Sequence, residues 1–132
     1  MTSQVPPLPP RVVAFIRQHV SSLLQLEALL LVFEGGQRVR SAADVSAEMY
    51  LPEAVVQEWL DGFAHAGFCE RTDAGYRMRD DPTVYDLLAE VADTYIRRKV
   101  SVGRLIFGPP TEDPKISLAE AFRLRRDDKR DR

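Results

Sequence analysis

A single cysteine, Cys69, stands in 132 residues, so no disulfide within the chain can staple the fold. No signal-peptide pattern opens the chain either, because Met1-Thr2-Ser3-Gln4-Val5-Pro6-Pro7 has neither a basic stretch nor an apolar one. A reducing cytoplasm is the expected setting. The longest run of large apolar side chains, Leu29–Phe33, falls far short of the roughly 18 residues that suggest a membrane span, so no membrane partner is expected. An excess of charge is missing too. With 18 basic residues against 20 acidic ones, a net charge of −2, there is no overall positive field to draw the chain onto nucleic acid. Any such contact must come from local patches.

Ligand-forming and catalytic residues are equally scarce. His19, His65 and Cys69 are the strong nitrogen or sulfur donors, and only His65 and Cys69 lie close in sequence. Structural zinc takes four such ligands, so His65 reads as a partner of its helix C-terminus and Cys69 as a small buried hydrophobe. Gly35-Gly36 lacks the further glycine and the Lys-Ser or Lys-Thr pair of a phosphate-binding loop, and no serine sits in a nucleophile elbow. Asp80-Asp81 and Asp127-Asp128 fall at a helix start and in a tail, where capping and solvation account for them. The expectation is a protein that is not an enzyme and needs no metal or cofactor.

What is present is a helical pattern around one hairpin. With 45% apolar residues the chain can bury a core, and its length suits one domain of about 100–150 residues with extensions. Residues 1–10, with Pro6, Pro7, Pro9 and Pro10, read as a flexible lead-in. Val12, Val13, Phe15, Ile16 and Val20 give a short amphipathic helix from Arg11 to about Ser21. A capping box at Ser22-Leu23-Leu24-Gln25 opens a second helix, so apolar around its circumference that it should be the central one, ending at Gly35-Gly36. Gln37–Arg40 is a brief extended link. Ser41 then caps a helix from Ala42 to about Met49, Tyr50-Leu51-Pro52 interrupts it, and another helix runs from Pro52 to Ala66 with Val56, Leu60 and Phe63 on its packing face. After Gly67, Phe68–Thr72 and Tyr76–Arg79 read as two strands joined through Asp73-Ala74-Gly75.

The stretch Ser41–Arg79 therefore outlines a winged helix-turn-helix, and residues 11–79 form its core with an added N-terminal helix. The run from Pro52 to Phe68, where apolar anchors precede the Gly67-Phe68 pair, resembles the recognition-helix segment of bacterial winged helix-turn-helix transcriptional regulators of the MarR-like and PadR-like groups. The resemblance covers about Ser22 to Arg79. It implies a mainly α fold with a small β-hairpin, a role in transcription regulation, and DNA contact through the second helix and the wing.

The residues themselves leave two function classes open. The exposed face of the second helix should be Glu53, Ala54, Gln57, Glu58 and Asp61, and no Lys or Arg occurs between Ser41 and Glu70. Three carboxylates beside a phosphate backbone oppose binding, although one can accept from cytosine N4. Basic residues flank the motif: Arg38 and Arg40 before it, and Arg71, Arg77 and Arg79 around the wing turn. These arginines, with Gln57, are the candidate DNA contacts in the first class. The other reading of Arg77 and Arg79 is a solvated hairpin face paired with Glu70 or with carboxylates of the second helix. In the second class the motif is a protein-interaction adaptor, and Glu53, Val55, Glu58, Trp59 and Asp61 form the partner surface. Alternatively Trp59 packs under the wing or on the last helices.

Residues 80–107 follow as one long helix. Asp81-Pro82 starts it, and Val84, Leu88, Val91, Tyr95, Val102 and Leu105 mark a stripe interrupted at Arg98. About 25 residues would span roughly 37 Å. Two arrangements would cover the stripe: a homodimer sharing this helix and residues 11–20, or a clasp folded back across the N-terminal helices. Residues 108–132 read as a linker, a short helix opened by Ser117-Leu118-Ala119-Glu120 with Leu118, Ala121, Phe122 and Leu124 inward, and a charged tail.

Overall fold

The computed structural model describes residues 7–107, and the short helix and tail expected within 108–132 lie outside the described residues. Among those described, the chain is mainly helical with one two-stranded antiparallel sheet. The helices are α1 (Pro10–His19), α2 (Leu23–Gly35), α3 (Ala42–Met49), α4 (Glu53–Ala66), α5 (Pro82–Arg97) and α6 (Lys99–Phe107); the strands are β1 (Glu70–Thr72) and β2 (Gly75–Arg77).

The helix starts follow the capping chemistry. Ser22 and Ser41 accept from the amides of Gln25 and Asp44, each at 3.0 Å, and Asp81 accepts from Thr83 at 3.0 Å. Pro10 opens α1, one residue before the expected start, where its missing N–H costs nothing. Pro52 is the cap of α4 rather than its first helical residue. At the other end of α4 the amides of Gly67 and Phe68 return to Ala64 and Phe63, and Gly67 takes the left-handed conformation that this closure needs.

The core lies where α1, α2, α4 and α5 meet. Val12 and Ile16 from α1, Leu26 and Leu29 from α2, Val56 and Leu60 from α4, and Leu88 and Val91 from α5 are buried together. Phe15 meets Phe63 and the edge of Phe68, so the residue after Gly67 belongs to this aromatic cluster and not to a strand. β1 accordingly begins at Glu70 and not at Phe68. β2 ends at Arg77 because the Met78 amide bonds to the Gly36 carbonyl instead of to β1.

The link before α3 joins the sheet at one point. Arg40 and Tyr76 exchange both backbone hydrogen bonds, at 2.7 and 2.8 Å, forming an isolated antiparallel bridge. Gly75 makes this approach possible: a Cβ there would stand 2.4 Å from the Arg40 carbonyl oxygen.

The single long helix over residues 82–107 is corrected to two helices. Arg98, at φ −138° and ψ 50°, leaves the helical region between α5 and α6. Arg98 occupies the position where the apolar stripe would bring a guanidinium into the core, and the break leaves it half-buried with Ser101 as partner. Both helices then pack on α1. Leu88, Val91, Tyr95 and Val102 are buried within their own chain, and Val84 and Leu105 are partly buried against the same core. Four of the six stripe residues are thus taken up by the chain's own core, and Val84 and Leu105 keep part of their surface outside it. Arg11 pairs with Glu90, and the Tyr95 hydroxyl donates to Glu27, tying α5 to α1 and α2. No described helix is long and apolar enough to cross a membrane.

Candidate interaction surface

The packing of α3 and α4 sets which side chains of the α3–α4–hairpin unit face outward. Val45 anchors α3, and Val56, Leu60 and Phe63 anchor α4, all buried. The opposite face of α4 carries Glu53, Ala54, Val55 and Glu58 in solvent, with Gln57 half-buried beside the hairpin turn. Glu53 and Gln57 line a cleft of about 140 Å³ together with Ser41, Arg71 and the turn Asp73-Ala74-Gly75.

Asp61 belongs to that face by periodicity but is committed elsewhere. Its carboxylate accepts from Arg71 Nη1 at 2.8 Å and from the buried Tyr76 hydroxyl, which binds α4 to both strands. Burial first, and then the hydrogen bond to this carboxylate, push the Tyr76 hydroxyl pKa up to about 12. Arg71 also lies over the Tyr76 ring, 5.8 Å from its centre.

The other candidate cations divide in two. Arg40 reaches Glu48 at 2.9 Å with its side chain only 14% exposed, and Arg77 reaches Glu70 at 3.3 Å across the hairpin. With Arg71 on Asp61, three of the five arginines put forward as DNA contacts have a carboxylate partner. Arg38 and Arg79 are exposed and form no ion pair among the described residues.

Trp59 and Val55 differ in exposure. Val55 is 37% exposed, whereas Trp59 is partly buried against the core and, together with Glu58, lines a cleft at the α1–α2 corner with Gln18, His19, Ser21 and Gln25. That corner is neither beneath the hairpin nor against α5 and α6. His65 is exposed and Cys69 is buried, its thiol directed at the Leu60 carbonyl at 3.8 Å and its pKa pushed up to about 12 by burial and then by Asp61. No group of three metal-binding side chains occurs among the described residues.

One surface residue escapes the sequence reading. Tyr50, in the turn between α3 and α4, is 93% exposed at φ 58°. The amides of Tyr50 and Leu51 return to Ala47 and Ser46, the closure that Gly67 makes for α4, but here a bulky aromatic side chain occupies the left-handed position. That conformation costs a non-glycine residue about 1–2 kcal/mol. The sequence signal was the interruption at Tyr50-Leu51-Pro52, which marks a turn without giving its handedness. No protein-family model, curated protein or solved structure matches the chain.

Proposed function

We propose that this chain is a non-enzymatic winged-helix protein of the bacterial transcriptional-regulator type, acting as an adaptor that meets another protein through the outer face of α4 and the α3–α4 turn. The order of α2, the Arg40 bridge, α3, α4 and the hairpin supports the scaffold reading. The observation that carries the adaptor reading is the pairing of Arg40, Arg71 and Arg77 with Glu48, Asp61 and Glu70. These cations each stand beside a carboxylate of the unit, and the exposed side chains of α4 and its preceding turn that have no cation beside them in these pairs are Tyr50, Glu53, Val55 and Glu58. An exposed aromatic and an aliphatic side chain rimmed by two carboxylates suit a partner with an apolar anchor point and basic surroundings.

A second reading has its own support. Arg38 and Arg79, exposed and without ion pairs among the described residues, can reach phosphates beside the hairpin. A titration of the full chain with labelled duplex DNA at several salt concentrations separates the two. The adaptor reading expects no saturable complex even at low salt. A complex whose affinity falls steeply with salt, and whose salt slope drops by about 1 for each of Arg38→Ala and Arg79→Ala, would overturn it. For a partner captured by the native chain, Glu58→Lys should abolish capture, whereas Asp93→Lys, at an exposed position on α5, should leave it intact.

A further inference from the structure

A groove of about 600 Å³ runs between α2 and α5 and ends at the C-terminus of α3. Leu24 and Leu31 from α2, Met49 from α3 and Ile96 from α5 give it an apolar floor and rim. Leu24 is 45% exposed and Ile96 is 74% exposed, so apolar surface here faces solvent. The lining charge is one-sided. Glu27, Glu34 and Glu48 stand around the groove against a single cation, Lys99, which lies 5.3 Å from the centre of the Tyr95 ring. Glu27 and Glu48 already accept from Tyr95 and Arg40, and Glu34 has no partner among the described residues.

We propose that this groove is the docking site for the chain's own segment 115–126, whose sequence pattern is that of a short helix. A trough between two helices accepts a third by taking anchors at three- and four-residue spacing. From Leu24 to Glu34 it measures about 15 Å, the length of some ten helical residues. Segment 115–126 has the matching pattern: a capping box at Ser117–Glu120, then Leu118, Ala121 and Phe122 on one side. Its charge is the complement of the groove, with Lys115, Arg123, Arg125 and Arg126 against one carboxylate, Glu120. The connection also reaches. Lys99 lines the groove at the start of α6, which ends eight residues later at Phe107. Residues 108–114, carrying Pro109, Pro110 and Pro114, span up to about 23 Å, more than the roughly 12 Å from Phe107 back to Lys99. This inference is independent of what α4 binds.

Paramagnetic broadening in the full chain tests it. A nitroxide on Glu120→Cys labels one position, because Cys69 is buried and held protonated. The amides of Leu24, Leu31 and Ile96 should lose peak intensity relative to the reduced label, and this loss should vanish in Phe122→Asp. It should vanish also in Ile96→Asp, a change at an exposed position that leaves the core alone. Absence of broadening, or broadening that survives Phe122→Asp, overturns the proposal. Broadening that appears only when a nitroxide-bearing chain is mixed with an isotope-labelled chain lacking the nitroxide overturns it as well, since the segment then docks on a second copy.

Discussion

Removing the Asp61 carboxylate should loosen the hairpin from α4 by a predictable amount. Two interactions end on this group, and they differ in worth. The Arg71 pair is half-exposed on both sides, at 54% and 38% side-chain exposure, so solvent screening holds it to about 0–1 kcal/mol. The Tyr76 hydroxyl donates from a residue that is 3% exposed, and a hydrogen bond to a charged acceptor in such a place is worth about 1.5–3 kcal/mol. Asp61→Ala should therefore cost about 2–3 kcal/mol, a large share of the roughly 5–15 kcal/mol that holds a domain together. The urea midpoint should fall by about 1–2 M at unchanged slope.

Tyr76→Phe and the double variant complete a thermodynamic cycle. The coupling between Asp61 and Tyr76 should be at least about 1 kcal/mol, and that between Asp61 and Arg71 about 0.5 kcal/mol or less. If Asp61→Ala and Tyr76→Phe prove additive, or if Arg71→Ala costs as much as Asp61→Ala, the assignment of the stabilisation to the buried hydroxyl is refuted. The result also bears on function. A coupled Asp61 is a structural residue, and its loss should change partner binding only through stability, unlike loss of Glu58.

The remaining expectations concern the backbone and titration. Gly75→Ala should cost at least about 2 kcal/mol in thermal or urea unfolding, because the added methyl meets the Arg40 carbonyl at 2.4 Å and the bridge to Tyr76 must open. Tyr50→Gly should stabilise the chain by about 1 kcal/mol by relieving the left-handed conformation, while weakening capture of a partner that uses the exposed ring. Cys69 rises from 9.0 to about 12 and Tyr76 and Tyr95 from 10.0 to about 12, in each case through burial first. Folding thus favours the neutral forms, so their contribution is full below about pH 9 and is lost as pH climbs towards 12. Urea midpoints should be flat from neutrality to about pH 9 and then fall, with Tyr95→Phe flattening part of the decline and Cys69→Ala its earliest part.

Local chemistry made much of this architecture legible. Ser22, Ser41 and Asp81 announce helix starts because each can satisfy free amides within three residues, and Gly67 announces a helix end by its conformational freedom. The break at Arg98 was not readable in the same way. No proline or glycine marks it, and it follows from the cost of bringing a guanidinium against α1, which is known only once α5 and α6 are folded on that helix. The hairpin strands came out shorter than their β-forming residues suggest for a similar reason: Phe68 is drawn into the aromatic cluster and Met78 onto Gly36.

The candidate surface shows where sequence periodicity stops being informative. On a helix wheel Asp61 and Glu58 are equivalent carboxylates of one exposed face, and along the chain Arg71 and Arg79 are equivalent arginines beside one turn. What separates them is which hairpin atom lies opposite. The two-residue turn closed by Thr72, whose hydroxyl accepts from Ala74 and Gly75 at 3.2 Å each, fixes Thr72 against Gly75 and so Arg71 against Tyr76. That register delivers a guanidinium and a phenol to Asp61 and leaves Glu58 in solvent. A hairpin shifted by one residue would turn Tyr76 away from α4 and leave Asp61 with the exposed Arg71 pair alone. The charge that a partner meets is therefore set by the turn at Thr72 as much as by the residues of α4.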